Sequence, residues 1–253
     1  MYLLLCYNAP KSAIGGAAFY GIAPIVRLES MSIAGNLAKI RERIGAAAAV
    51  SGRQGEDITL IAVTKTVDAD RIRQAVDAGV TEIGENYIQN ALLKYPSIGN
   101  AVKWHMIGHL QTNKVRQAVP IFDLIQSVDS LRLAEEIGKR SLAAEKVMPV
   151  LIEVNISGEE SKFGVSKKDV ERLCEAVASV PGIKLSGLMG IAPLGAGDAD
   201  IRRSFAELKS LWDRLPDENR RWLSMGMTSD FEAAIEEGSN MVRIGTAIFG
   251  PRS

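Results

Sequence analysis

Lys65 closes a β-branched, apolar run, Ile58-Thr59-Leu60-Ile61-Ala62-Val63-Thr64-Lys65. Burying an ammonium is costly unless it is paired or neutralised, so a lysine at the tip of such a run has two readings. It snorkels from the strand tip into water, or desolvation lowers its pKa and frees the amine to form an imine with an aldehyde. A second set of residues lies far along the chain. Ser224-Met225-Gly226-Met227-Thr228-Ser229-Asp230 ends one strand-like segment and opens a helix, and Arg243-Ile244-Gly245-Thr246 lies in the last such segment. Glycine and small hydroxyl residues let main-chain N–H groups approach an anion closely, and a helix start adds favourable dipole. The plainer reading is turn and cap chemistry, with Ser229 or Asp230 as the N-cap. Asn86 and His105 are weaker candidates. Asn86 either donates to a ligand oxygen or caps the next helix; His105 either touches a ligand or is a hydrogen-bonded core residue. Trp104 reads as packing. An amine and an anion cradle together imply a phosphorylated aldehyde: pyridoxal 5′-phosphate satisfies both, and so does a sugar phosphate.

These residues need a scaffold that brings them together. Strand-like segments recur at Ile58–Lys65, Glu82–Asn86, Lys103–Gly108, Leu124–Asp129, Met148–Ile156, Ile183–Ala192, Trp222–Met227 and Met241–Phe249. Helical patterns lie between them, at Asp70–Ala78, Tyr87–Tyr95, Thr112–Val119, Leu131–Ala144, Lys167–Val180, Ala199–Leu215 and Phe231–Glu237. A further helix precedes them, with Leu37, Ile40, Ile44 and Val50 on one side. Regular alternation implies right-handed βαβ units and a parallel sheet. Eight units with no domain-sized remainder predict one (β/α)₈ TIM-type barrel with an extra N-terminal helix; a doubly wound open sheet is the competitor. In such a barrel, ligands bind at the C-terminal strand ends, and phosphate sites use the loops after strands seven and eight. Residues 31–253 are expected to form the barrel, and residues 1–30 a poorly ordered extension with neither the positive start of a secretory signal nor the length of a membrane span.

Thirty basic and thirty acidic residues cancel among 253, so no charge excess points to nucleic acid or a membrane surface. Two cysteines cannot form a disulfide framework, which predicts a cytoplasmic protein. No exposed apolar stripe stands out, so a monomer is expected.

Beyond these single features, the chain resembles the pyridoxal-phosphate homeostasis proteins. The resemblance rests on Ala62-Val63-Thr64-Lys65, Gly84-Glu85-Asn86-Tyr87, the stretch Trp104 to Lys114, Val128-Asp129-Ser130, Val154 to Glu159, Lys162-Phe163-Gly164, Gly187-Leu188-Met189, Leu223 to Met227 and Val242 to Gly250. It covers nearly everything after Met31; Met106, His109, Thr64 and Thr228 depart from the usual pattern. It implies a barrel like the N-terminal domain of alanine racemase, with pyridoxal 5′-phosphate as a Schiff base on Lys65. Ser224, Met225, Gly226, Arg243, Gly245 and Thr246 are expected around the phosphate and ring nitrogen, with Asn86 near the ring and His105 as a further contact. The implied role is vitamin B6 homeostasis: buffering the cofactor or delivering it transiently to apo-enzymes, without catalytic turnover. The chain ends at Ser253, just after strand eight, so no second domain is expected to enclose the cofactor. An amino-acid racemase of the same fold is the alternative. A Schiff-base aldolase is a poorer one, because its lysine usually stands on strand six, where only Lys184 lies, at the wrong end.

Overall fold

The computed structural model describes residues 32–159 and 162–251; the expected extension, residues 1–30, lies outside them. The first element is helix α1 (Ile33–Val50), whose N-cap Ser32 accepts from Gly35 N at 3.1 Å. Ile33, Leu37, Ile40, Ile44 and the Ala47-Ala48 pair form its buried face. Val50 was expected on that face but is 73% exposed; at about 100° per residue it falls to the side of the Ile40–Ile44 stripe.

Strands and helices then alternate: β1 (Thr59–Val63), α2 (Ala69–Asp77), β2 (Glu82–Glu85), α3 (Ile88–Ile98), β3 (Lys103–Met106), α4 (Val115–Ala118), β4 (Leu124–Val128), α5 (Leu131–Ala143) and β5 (Met148–Asn155). After a short β6 (Val165–Ser166) come α6 (Val170–Ala178), β7 (Ile183–Gly190), α7 (Asp198–Asp213), β8 (Trp222–Ser224), α8 (Phe231–Glu236), β9 (Met241–Ile244) and α9 (Thr246–Phe249). Neighbouring strands pair in parallel around a ring, β1-β2-β3-β4-β5-β7-β8-β9, and β9 returns to β1 with Ile61 beside Arg243. That is a closed eight-stranded (β/α)₈ barrel. β6 is an appendage on β5, with Val154 beside Val165.

Two apolar cores follow from strand alternation, in which successive side chains face opposite ways. The larger core fills the layer between sheet and helices. The smaller contains Ile61, Leu124, Leu151, Met189 and Met241 with Trp222 against them. Ile61 on β1 and Leu124 on β4 are not on neighbouring strands, so this cluster meets across the barrel interior.

Several strands are shorter than their apolar runs. β1 stops at Val63, β3 at Met106 and β8 at Ser224. Thr246–Phe249, read as the end of a strand, is helical instead. Among the described residues, no helix is long and apolar enough to cross a membrane.

Candidate functional site at the barrel mouth

Lys65 lies two residues past β1, in a half-buried turn. The ladder continues one step beyond the strand, because Thr64 N donates to Gly84 O at 3.0 Å. Thr66, next after Lys65, is held at φ 66°, a left-handed conformation unusual for a threonine. Three side chains fix the peptide before the lysine. Lys94 Nζ donates to Thr64 O at 2.7 Å and to Glu85 Oε1 at 2.6 Å, and Thr64 Oγ1 donates to Glu85 Oε1 at 2.7 Å. The turn that carries Lys65 is thus tied to β2 and α3.

Gly245 and Thr246 line the same small cavity as Lys65. Gly245 brings β9 against β1 so closely that a Cβ there would sit 3.2 Å from Val63 O. α9 begins at Thr246, and the first N–H groups of a helix have no acceptor within it. At Gly226 the chain turns at φ 97°, where a Cβ would come within 2.6 Å of Ala234 Cβ and 2.9 Å of Phe231 Cα. Gly226 O accepts from Arg243 N at 3.0 Å, joining the two loops. Asp230 stands at the N-cap position of α8 and accepts from Met227 N at 2.5 Å.

Arg243 is 4% exposed. Its guanidinium donates to Ser224 Oγ at 2.5 Å and to Gly190 O at 2.9 Å. Burial pushes its pKa down to about 10, against the opposing pull of Glu153 and Asp230, so it stays a cation at neutral pH. Ser224 in turn donates to Gln126 Oε1 at 2.6 Å. Gln126 Nε2 meets His105 Nδ1 at 2.9 Å and Met241 Sδ at 3.2 Å, and His105 Nε2 meets Glu82 Oε2 at 2.9 Å. Every link has one direction: Arg243 to Ser224 to Gln126 to His105 to Glu82. His105 therefore uses Nδ1 as acceptor and Nε2–H as donor. Burial opposes ionisation of Glu82, but its bond to His105 and the Lys103 charge prevail and keep its pKa low.

Lys65, Gly245 and Thr246 thus share one cavity, and Ser224 and Gly226 are each hydrogen-bonded to Arg243. Asn86 lines a different, larger cavity. His105 and Met225 are not at the mouth. His105 is 3% exposed with both ring nitrogens engaged, and Met225 is fully buried in the outer core. Trp104 packs as expected, donating from Nε1 to Gly99 O at 2.9 Å.

Sequence reasoning missed Gln126 and Glu153. Glu153 is the one charged residue in the apolar run Met148–Ile156, a signal that was available. It is 7% exposed, and burial first, then Asp129, push its carboxyl up to about 7 against the pull of Arg243. The residues present suit a phosphorylated aldehyde. Lys65 lines one cavity with Gly245 and Thr246, Arg243 is a buried cation two residues before Gly245, and Asn86 Oδ1 is buried with no hydrogen-bond partner.

The family described as alanine racemase, N-terminal domain, matches residues 35–253. A pyridoxal phosphate homeostasis protein of Escherichia coli (strain K12) is 42% identical over 229 residues, covering 87% of this chain and 97% of that one. A structure from Bifidobacterium adolescentis, described only as an unknown protein, is 39% identical with TM-score 0.82, over 86% of this chain and 94% of that one. PipY of Synechococcus elongatus, solved with PLP bound, is 32% identical with TM-score 0.74, over 87% of this chain and all of that one. Relatedness at this level over nearly the whole barrel means that the chain belongs to the pyridoxal phosphate homeostasis proteins, within the alanine racemase N-terminal domain family.

Proposed function

We propose that the chain holds pyridoxal 5′-phosphate as a Schiff base on Lys65 and buffers it or delivers it to apo-enzymes. The observation that carries this reading is the cavity shared by Lys65, Gly245 and Thr246. PipY, solved with the same cofactor, supports it. When bound, the cofactor supplies an aldehyde carbon for a primary amine and a pyridine ring able to take up electrons. Lys65 offers the amine, held in place by the Thr64–Glu85–Lys94 cluster. The N–H groups at Gly245 and Thr246 receive the phosphate. Arg243 is a fixed cation that favours the phosphate and disfavours a proton on a nearby ring nitrogen. An unprotonated pyridine is a poor electron sink, which suits storage better than turnover.

Borohydride reduction of the purified protein followed by peptide mapping tests the reading. The label is expected on the peptide containing Lys65 and is lost in Lys65→Ala. Label on another lysine, or none on the wild type, overturns it.

A further inference from the structure

Arg243, Ser224, Gln126 and His105 are buried, bonded in line, and the line ends on Glu82. Glu82 opens β2, four residues, or about 13 Å, before Asn86. The role given to Lys65 uses neither Glu82, His105 nor Gln126. A neutral imidazole carries its proton on one nitrogen only, and an amide can turn over so that its oxygen and nitrogen change places. The same frame of heavy atoms therefore admits the line in reverse. With the proton on Nδ1, His105 donates to Gln126 Oε1, and the Gln126 amide, turned over, donates to Ser224 Oγ. Ser224 Oγ then accepts from both Gln126 and Arg243, and its O–H is released. In the direction seen, that O–H is spent on Gln126 Oε1 at 2.6 Å. Arg243 donates in either direction, because a guanidinium has no acceptor. The direction is decided at the other end. An ionised Glu82 only accepts; burial opposes its ionisation, but His105 and Lys103 outweigh it. It takes the Nε2 proton at 2.9 Å, which leaves Nδ1 bare for Gln126.

We propose that Glu82 is a positioning residue for the cofactor site: by fixing the His105 proton on Nε2 it orients Gln126 and keeps the Ser224 hydroxyl turned away from a ligand held beside Arg243. The ligand half of the proposal rests on the Schiff-base reading above; the relay is a property of the cofactor-free chain. Removing the acceptor at position 82 moves one proton from Nε2 to Nδ1 of the same ring, with none gained or lost. The freed Ser224 O–H then donates to the ligand, whose phosphate oxygens and unprotonated ring nitrogen are all acceptors.

Nitrogen–proton correlation NMR of the cofactor-free full chain reads the tautomer. The chain has two histidines, so His109→Asn removes the other set of signals and assigns His105. The wild type is expected to show Nε2–H and Glu82→Leu to show Nδ1–H, with the Gln126 side-chain amide signals shifting in step. In the loaded chain, Glu82→Leu is expected to slow cofactor loss about fivefold, as one added hydrogen bond implies, and to shift the visible band of the Schiff base. A merely structural Glu82 would affect stability and move neither tautomer nor band. In a Gln126→Leu background, Glu82→Leu should change retention no further, because the relay is already cut. The proposal is overturned if His105 keeps its proton on Nε2 in Glu82→Leu, if the tautomer moves and neither retention nor band follows, or if the effect persists without Gln126. Should Glu82→Leu fail to fold by circular dichroism, Glu82→Gln decides. Its amide accepts or donates, so both tautomers are expected with intermediate retention; Nε2–H alone overturns the proposal. A wild type that takes no label at Lys65 refutes the storage reading instead, while the ring and amide signals of the cofactor-free chain continue to judge the relay.

Discussion

Glu153 is a carboxyl buried where its charge is poorly compensated. Its pKa is pushed up to about 7, by burial and then by Asp129, with Arg243 opposing. The folded chain therefore keeps this proton to higher pH than the unfolded chain, whose glutamates titrate at about 4.3. Stability linked to this group is fully present below the unfolded pKa and is lost as pH rises through the folded one. The loss across that window is about 3 kcal/mol in order of magnitude. Glu153→Gln cannot ionise and escapes it. The variant should match the wild type near pH 4.5 and exceed it at pH 8 by up to about 3 kcal/mol in urea unfolding. A stability difference that does not change with pH would show that the carboxyl is not strained in this way. Arg243 must remain charged throughout, since its own pKa, near 10, lies well above the window.

At the scale of elements, the turn after β1 depends on a buried ion pair that ties it to β2 and α3. The Glu85 side chain is fully buried and the Lys94 side chain 13% exposed, at 2.6 Å. Removing one partner leaves an uncompensated buried charge, which typically costs about 3–5 kcal/mol, whereas replacing both is often near neutral. Lys94→Met is thus expected to lower unfolding stability by about 3 kcal/mol and to slow label fixation at Lys65, because Thr64 O loses its donor. Adding Glu85→Met should restore most of the stability but not the labelling rate. If the double variant is as unstable as the single one, packing rather than charge governs the turn. The elements themselves were largely legible in the sequence: β-branched runs and 3.6-residue periods gave all eight barrel strands and the helices between them. Their ends were not. Thr64-Lys65 continues the composition of β1 although the chain has already turned. Ala247, Ile248 and Phe249 read as strand because an apolar run does not distinguish strand from helix. Ile248 and Phe249 are buried in the same core as the inner face of α1, and Asn36 Nδ2 donates to Ile248 O at 2.9 Å. The two-residue β6 carries too little pattern to be read at all.

For the whole molecule, barrel closure brings together residues that no local pattern relates. Gln126 meets residues 21, 98 and 115 positions away in sequence: His105, Ser224 and Met241. A single glutamine in an apolar strand carries no local signal in the sequence; in the closed ring it is the middle link between Arg243 and Glu82 at the start of β2. Such a chain is strong only when every member is satisfied, because the low dielectric that strengthens each bond also penalises each unmet group. Gln126→Leu leaves His105 Nδ1 without its donor and the Ser224 O–H without its acceptor, at about 1–3 kcal/mol each. The expected loss is about 3 kcal/mol in denaturant unfolding, with weaker retention of the reducible label as Arg243 loses the Ser224 orientation. Ser224→Ala removes one of the same groups, so its effect should not add to that of Gln126→Leu. A double-mutant cycle is expected to give a coupling of about 1 kcal/mol or more. A coupling below about 0.5 kcal/mol would mean that the two side chains act independently. The barrel interior would then support Arg243 through its bond to Gly190 O alone, and the mouth would owe nothing to the floor.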